Sequence, residues 1–388
     1  MKKLLFATCC IAFLSGSLGA AAQKKSAAKN VLTQTLKGKS WSADNGNGTF
    51  TNPLFYDEFS DPDIIRVGED YYLAGTTMHS VPGLVVLHSK DLVNWEFSSY
   101  CFDRFDDSDD FNLRNGKEAY GQGIWAPAIR YHNGKFYIFS NINGHGLQVY
   151  ISDSAKGPWT HHKVNGDIYD LSVLFDEDGK IYAVHKYGNV TVTELKPDLS
   201  GPVEGSSKVV IPEGNAMGEG HHVYKINGMY YILSADYSPM GRMQCARSKS
   251  IWGPYETCVI SERESYGYAA GWSVGNMGIG RPLPEDGFSF QNNKPNGLNL
   301  GCATIHQGGI VQAPDGKWWG VSMQDFNAVG RTVCLSPITW VDGWPYFGLE
   351  KNLGRSPRTW FKPNDMVKTP QAPYDRCDDF SGKTFKPV

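Results

Sequence analysis

The sequence predicts an all-β protein built as a five-bladed β-propeller. One β-hairpin pattern recurs five times. No stretch keeps a helical period over three turns. Aromatic residues make up 13% of the chain, with 11 Trp and 20 Tyr, a content that suits pleated sheet surfaces and also suits flat contacts with sugar rings.

The elements follow in chain order. Lys2 and Lys3 precede an apolar run from Leu4 to Leu18, and Gly19-Ala20-Ala21-Ala22-Gln23 follows it. A basic start, a short apolar middle and small residues before a polar one describe a secretory signal peptide over residues 1–22. A membrane span needs about 20 apolar residues, which this run lacks, and no second apolar run follows. Cys9 and Cys10 would suit a lipoprotein, but the apolar stretch before them is short. The expected product is a soluble secreted or periplasmic protein with no membrane span. Residues 23–50, polar and rich in Gly, Asn and Ser, read as a flexible leader.

The repeat begins near Asp61. Its copies are Ile64–Leu73, Ile129–Ile138, Val173–Tyr182, Val223–Ile232 and Ile310–Trp319. Asn133-Gly134, Asp178-Gly179, Asn227-Gly228 and Asp315-Gly316 supply the positive φ angles that tight hairpins need. Third strands ending in Trp or Pro follow several copies, as in Val85–Trp95, Val149–Trp159 and Cys245–Pro254. A β-sandwich could use similar hairpins, but fivefold recurrence of one hairpin type favours a propeller over residues 51–360.

Composition narrows function by exclusion. Charged residues are 20% and hydrophobic ones 41%, a globular balance. A net charge of −3 gives no reason to expect nucleic acid or an anionic membrane as partner. Beyond the signal segment stand Cys101, Cys245, Cys258, Cys302, Cys334 and Cys377. None forms a CxxC pair, so zinc is not expected, and the pairing of any oxidised thiols stays open.

In a propeller the innermost strands converge on one axis, so residues just before them meet despite wide separation in sequence. Asp61, Asp170 and Glu219 precede the first, third and fourth hairpins in matching places. Glycoside cleavage needs such a set: one carboxylic acid protonates the departing oxygen, while a second carboxylate activates water or attacks. The acid keeps its proton through burial or a neighbouring negative charge. Singly, each residue could instead cap a turn or face solvent; their shared placement favours chemistry.

These residues resemble glycoside hydrolase family 43. The markers run in order from Asn52 to Gly348: Asn52-Pro53, Ser60-Asp61-Pro62-Asp63, Trp125-Ala126-Pro127, Asp170 with Phe175-Asp176-Glu177-Asp178-Gly179-Lys180, Glu219-Gly220, His306-Gln307-Gly308-Gly309 with Trp318-Trp319, Gly330-Arg331, and Trp340-Val341-Asp342-Gly343-Trp344-Pro345. The resemblance implies a five-bladed propeller and inversion at the anomeric carbon. Asp61 matches the general base, Glu219 the general acid, and Asp170 the residue that raises and orients the acid. Base and acid should stand roughly 6.5–9.5 Å apart, leaving room for a water. Arg331 matches an arginine that binds substrate hydroxyls. Trp125, His221 and His306 join it as candidate substrate-binding residues. No cofactor is implied as required. His306 also matches a histidine that in some members helps hold a structural calcium ion, though a lone histidine is more often a hydrogen-bonded core residue.

The chain departs from the family pattern at Leu171 and His221, where proline is usual. His221 puts an imidazole beside the proposed acid: protonated it would lower the acid's pKa, neutral it could bind sugar. Cys377-Asp378-Asp379-Phe380-Ser381-Gly382 resembles the opening of a β-sandwich that follows the propeller in one branch, so 361–388 reads as a C-terminal extension starting a truncated sandwich.

The expected activity is removal of arabinofuranosyl or xylosyl units from plant cell-wall polysaccharide or oligosaccharide. The insertion Phe102–Gly123, with Asp103, Asp106, Asp107, Asp109 and Asp110, reads as a wall closing a pocket, which favours exo action; it lacks the order of an EF-hand calcium loop. The alternatives are an endo-arabinanase or other glycosidase of the same fold, and a carbohydrate-binding propeller without catalysis.

Overall fold

The computed structural model describes residues 42–363, apart from 106–107, 216, 238–239, 262–304 and 326–329. The expected signal peptide, Cys302, Cys377 and the extension beyond residue 363 lie outside the described residues, which contain strands and no helix.

Strand β1 (Thr49–Thr51) precedes the blades. Blade 1 is β2 (Ser60–Val67), β3 (Asp70–Thr76), β4 (Gly83–Ser89) and β5 (Glu96–Phe102). Blade 2 is β6 (Ile124–His132), β7 (Lys135–Ile142), β8 (Gly146–Ser152) and β9 (Thr160–Lys163). Blade 3 is β10 (Ser172–Phe175), β11 (Ile181–His185), β12 (Val190–Leu195) and β13 (Lys208–Ile211). Blade 4 is β14 (Glu219–Ile226), β15 (Met229–Tyr237), β16 (Met240–Ser248) and β17 (Glu256–Ser261). Blade 5 gathers β18 (Ile305–His306), β19 (Ile310–Gln312), β20 (Trp318–Asp325), β21 (Arg331–Val341), β22 (Trp344–Leu349) and β23 (Asn352–Leu353). Within each blade neighbours pair antiparallel, in the meander of a propeller rather than the crossed order of a Greek-key sandwich.

The recurring hairpins are the inner pairs of the five blades. His132 pairs with Lys135 across Asn133-Gly134, whose φ values of 48° and 80° are those of a two-residue primed turn. The core lies between blades. One cluster joins Ala74, Leu84 and Val86 of blade 1 to Ile129, Ile138 and Tyr150 of blade 2, and comparable clusters join the later pairs. The tryptophans after the third strands serve this packing: Trp159 reaches back to donate to Ser99 Oγ of blade 1, and Trp252 meets Tyr182 of blade 3 edge-on at 5.6 Å.

The ring closes where its two ends meet. Only the C-terminal part of β21, Ile338–Val341, pairs with β22. Along the other part runs the segment entering blade 1. Asn52 Nδ2 donates to Leu335 O and Asn52 Oδ1 accepts from Leu335 N, both at 2.8 Å, while Leu54 N donates to Val333 O and Phe59 N to Arg331 O. Strand β24 (Thr359–Phe361) pairs with β1, and Lys362 Nζ reaches Asp44 at 2.6 Å and Asp91 at 2.9 Å. Residues 43–50 therefore differ from the expected leader: Ala43 and Phe50 are buried, and Phe50 meets Trp319. Their polar composition comes from turn residues around one anchoring aromatic.

Cys101, Cys245, Cys258 and Cys334 are free thiols. No described helix is long and apolar enough to cross a membrane.

Candidate active site

Each blade delivers one backbone kink to the axis. Asp61 (φ 51°), Ala126 (27°), Asp170 (51°), Gly220 (67°) and Gln307 (46°) all take left-handed conformations at or just before the innermost strand. In blades 1, 2 and 4 the ladder register shifts across these residues, between Ser60 and Asp63, Trp125 and Ala128, and Glu219 and His222. Such bulges re-aim side chains, and a non-glycine residue in this region costs on the order of 1 kcal/mol, less for Asp. The kinks turn their residues toward a shared cavity of about 260 Å³, lined by Asp61, Trp125, Ala126, Asn143, Tyr169, Asp170, Glu219, Gln307 and Arg331.

The three expected carboxylates thus meet in one cavity. Their placement is less uniform than the sequence suggests. Asp61 and Asp170 occupy the left-handed position itself, whereas Glu219 stands one residue before it. Glycine is required at 220: a Cβ there would lie 2.4 Å from Gln307 Cδ.

Hydrogen bonds fix each carboxyl. Asp61 Oδ2 accepts from Thr76 Oγ1 at 2.5 Å, and Thr76 Oγ1 in turn accepts from Ala126 N at 2.7 Å, so blade 2 steadies the blade 1 carboxylate. Asp170 Oδ2 accepts from Gly220 N at 2.7 Å. Glu219 Oε2 accepts from the Tyr169 hydroxyl at 2.8 Å. Arg331 Nη1 stands 3.5 Å from Asp61 Oδ1 and its guanidinium lies 6.0 Å from the Trp125 ring centre. Its backbone N donates to Glu58 Oε2 at 2.7 Å, which ties it across the ring joint. Trp125 Nε1 donates to Asn143 Oδ1, which holds the indole against the cavity.

Burial, then the charges of Glu219 and Asp61, push the Asp170 carboxyl up to about 8, against the opposing pull of the Gly220 N–H and Arg331. Glu219 is also raised, by burial first and by Asp61, while the Tyr169 hydrogen bond and Arg331 hold it back. A cavity in which burial and crowded carboxylates favour protonation can store a proton at neutral pH and deliver it.

His221 and His306 are buried and neither lines the cavity. Both ring nitrogens of His221 are engaged within the protein, Nδ1 with Ser234 Oγ at 2.5 Å and Nε2 with Lys186 O at 2.6 Å. Burial lowers its pKa to about 4, so it is a neutral structural tie. This corrects the expectation of a sugar contact: the imidazole follows the kinked Gly220 and ties Lys186 beside blade 3 to Ser234 of blade 4. His306 lies in β18 one residue before Gln307, and it is Gln307 that reaches the cavity. Among the described residues no group of three or more His, Cys, Asp or Glu side chains is gathered as a metal would need. No described residue of the insertion Phe102–Gly123 lines the cavity; Phe102 stacks on Tyr150 and Phe105 meets His145 at the side of blade 2.

Tyr169, Asn143 and Gln307 are the polar lining residues the sequence reading missed. Tyr169 adjoins Asp170 and Gln307 adjoins His306, so adjacency to a candidate was their signal; Asn143 had none.

A family model described as glycosyl hydrolases family 43 matches residues 50–267. A β-xylosidase of Formosa agariphila is 29% identical over 92% of this chain and 61% of its own length. A non-reducing end α-L-arabinofuranosidase of Bacteroides ovatus is 33% identical over 81% of this chain and 56% of its own length. Among solved structures, a bifunctional GH43-CE protein of Bacteroides eggerthii superposes with a TM-score of 0.66 at 33% identity, over 83% of this chain and 38% of that one. The chain spans about three-fifths of the length of the curated relatives it matches.

Proposed function

Because the chain belongs to glycoside hydrolase family 43, we propose that it is an inverting exo-glycosidase releasing arabinofuranosyl or xylosyl units from the ends of plant cell-wall polysaccharides or oligosaccharides. One observation carries this reading: carboxyl groups from three blades share a 260 Å³ cavity with one arginine. That volume lies below the roughly 300–1,000 Å³ of pockets for drug-sized ligands, which suits a single sugar unit better than a chain threading through.

In this reading Glu219 gives its proton to the glycosidic oxygen as the C1–O bond breaks and the bonding pair leaves with that oxygen. Water adds to C1 from the opposite face, and Asp61, steadied by Thr76, takes the proton the water loses. One water is consumed and no electrons change hands. Asp170 anchors the acid's backbone through Gly220 N. This differs from a purely electrostatic role, because Asp170 with a pKa of about 8 carries little charge at neutral pH. Arg331 and Trp125 bind the sugar. Export, as a secreted or periplasmic protein, is part of the proposal and is supported by Lys2, Lys3 and the apolar run after them.

Hydrolysis of aryl α-L-arabinofuranoside and aryl β-D-xyloside by this chain, with Asp61→Asn as control, tests the reading. Turnover of one, lost in the control, identifies the sugar, and proton NMR of the first product shows whether the anomeric centre inverts. Binding on a sugar array without turnover of either glycoside would instead make the chain a carbohydrate-binding propeller.

A further inference from the structure

Blade 3 grips blade 4 at two consecutive residues. Asp170 Oδ2 takes the N–H of Gly220, and the neighbouring Tyr169 hydroxyl reaches Oε2 of Glu219 at 2.8 Å. The grip is itself braced. Lys186 N donates to Tyr169 O at 2.9 Å, Lys186 O meets His221 Nε2, and His221 Nδ1 meets Ser234 Oγ. A chain of contacts therefore runs from the Tyr169 backbone through Lys186 and His221 into β15 and holds the segment that carries the phenol.

We propose that Tyr169 is a positioning residue for the acid: by donating to Oε2 of Glu219 it makes that oxygen an acceptor and leaves Oε1 as the oxygen that carries the proton to the substrate. This rests on the reading of Glu219 as the general acid. A phenol has one hydrogen to give. Among the described residues this hydroxyl has no other protein partner. Burial and the Glu219 carboxylate push the phenol above its ordinary range, so it stays a donor while the acid titrates. The groups acting on Glu219 are Asp61 from blade 1, Arg331 from blade 5, and Tyr169 and Asp170 from blade 3. Of these, Arg331 and the Tyr169 hydroxyl favour the ionised acid, and only Tyr169 selects between its two oxygens.

Tyr169 is half exposed, so Tyr169→Phe removes the hydroxyl without opening the core. Two readouts separate positioning from a plain wall contact. In the first, Glu219 is titrated by carbon-13 NMR of labelled glutamate carboxyls, assigned with Glu219→Gln. The Phe variant should titrate about one unit or more higher, the shift expected for losing a hydrogen bond to a charged group. In the second, kcat/KM should fall roughly 10-fold or more for substrates with poor leaving groups and little for activated aryl glycosides, with the basic limb of the pH profile moved upward. An unmoved Glu219 titration would overturn the proposal. So would an equal rise in KM for both substrate classes with an unchanged pH profile, which is what a sugar-contacting wall residue would give. If the wild-type chain cleaves neither glycoside, the proposed function fails, and the NMR titration still decides whether Tyr169 governs this carboxyl.

Discussion

Asp170→Asn should leave the protein increasingly more stable than the wild type as the pH rises. In the folded state the Asp170 carboxyl titrates at about 8, against 3.8 for the ordinary carboxyl. Below pH 3.8 folded and unfolded chains both hold the proton, and the group costs nothing. Between 3.8 and 8 the unfolded chain has released its proton while the folded one retains it, so stability falls steadily with pH and levels off above 8. At about 1.4 kcal/mol per unit, a rise of about four units sets a ceiling near 6 kcal/mol. Part of that rise comes from the charge of Glu219, itself raised, and such coupling brings the expectation for this one site to about 3 kcal/mol. The substituted carboxamide has no proton to lose, and its oxygen can still accept from Gly220 N. Wild type and variant should therefore unfold alike at about pH 4, and the variant should gain about 3 kcal/mol by about pH 8, seen as roughly 4 °C in melting temperature. Thermal unfolding followed by circular dichroism at about pH 4, 6 and 8 measures the gap. A gap that stays flat with pH, or a variant less stable at the alkaline end, would refute the picture of a proton held by burial and crowding.

Three further outcomes are expected. Thr76→Val keeps the shape but strands Ala126 N and removes the donor to Asp61; it should cost about 1–3 kcal/mol in denaturant unfolding and reduce kcat about 10-fold or more, and an unchanged kcat would mean Thr76 does not steady the base. Gly220→Ala meets both a left-handed backbone and Gln307, and since misplacing a reacting group by about 1 Å can cost 10²-fold, kcat on aryl glycosides should fall by about that factor. Lys362→Met leaves the carboxylates of Asp44 and Asp91 without their shared ammonium; losing one partner of a buried ion pair costs about 3–5 kcal/mol, read as a lowered urea midpoint.

The sequence carried the fold because a propeller repeats its local chemistry. Asn133-Gly134 and Asn227-Gly228 specify turns without help from distant contacts, and each apolar inner strand is legible alone. Asp61, Asp170 and Glu219 were legible because carboxyls placed before inner strands need a reason to be there. What stayed hidden depends on backbone direction. His221 stands two residues from Glu219 in sequence, yet the kink at Gly220 sends the two side chains to opposite sides, one to the cavity and one to Ser234. Gln307 was passed over for His306 for the same reason, because the kink falls on Gln307. Asn143 matters through its hold on Trp125, a contact across 18 residues that no periodicity announces. Residues 43–50 looked like leader because their anchoring partners, Trp319, Trp360 and Lys362, lie roughly 300 residues away.

The ring joint also has a consequence in time. Asp61 is among the first residues of the propeller to leave the ribosome, and Arg331, which flanks it in the cavity, is among the last. A nascent chain extended through blade 4 already holds all three carboxyls, but the edge of β21 that seats Asn52 and Leu54 has not been made, nor has the arginine that Glu58 will orient. Contacts of such long sequence separation form late. Synthesis of the final blade therefore does two jobs in one event: it shuts the circle and it completes the carboxyl-lined cavity, so no shorter product of translation can have a finished one.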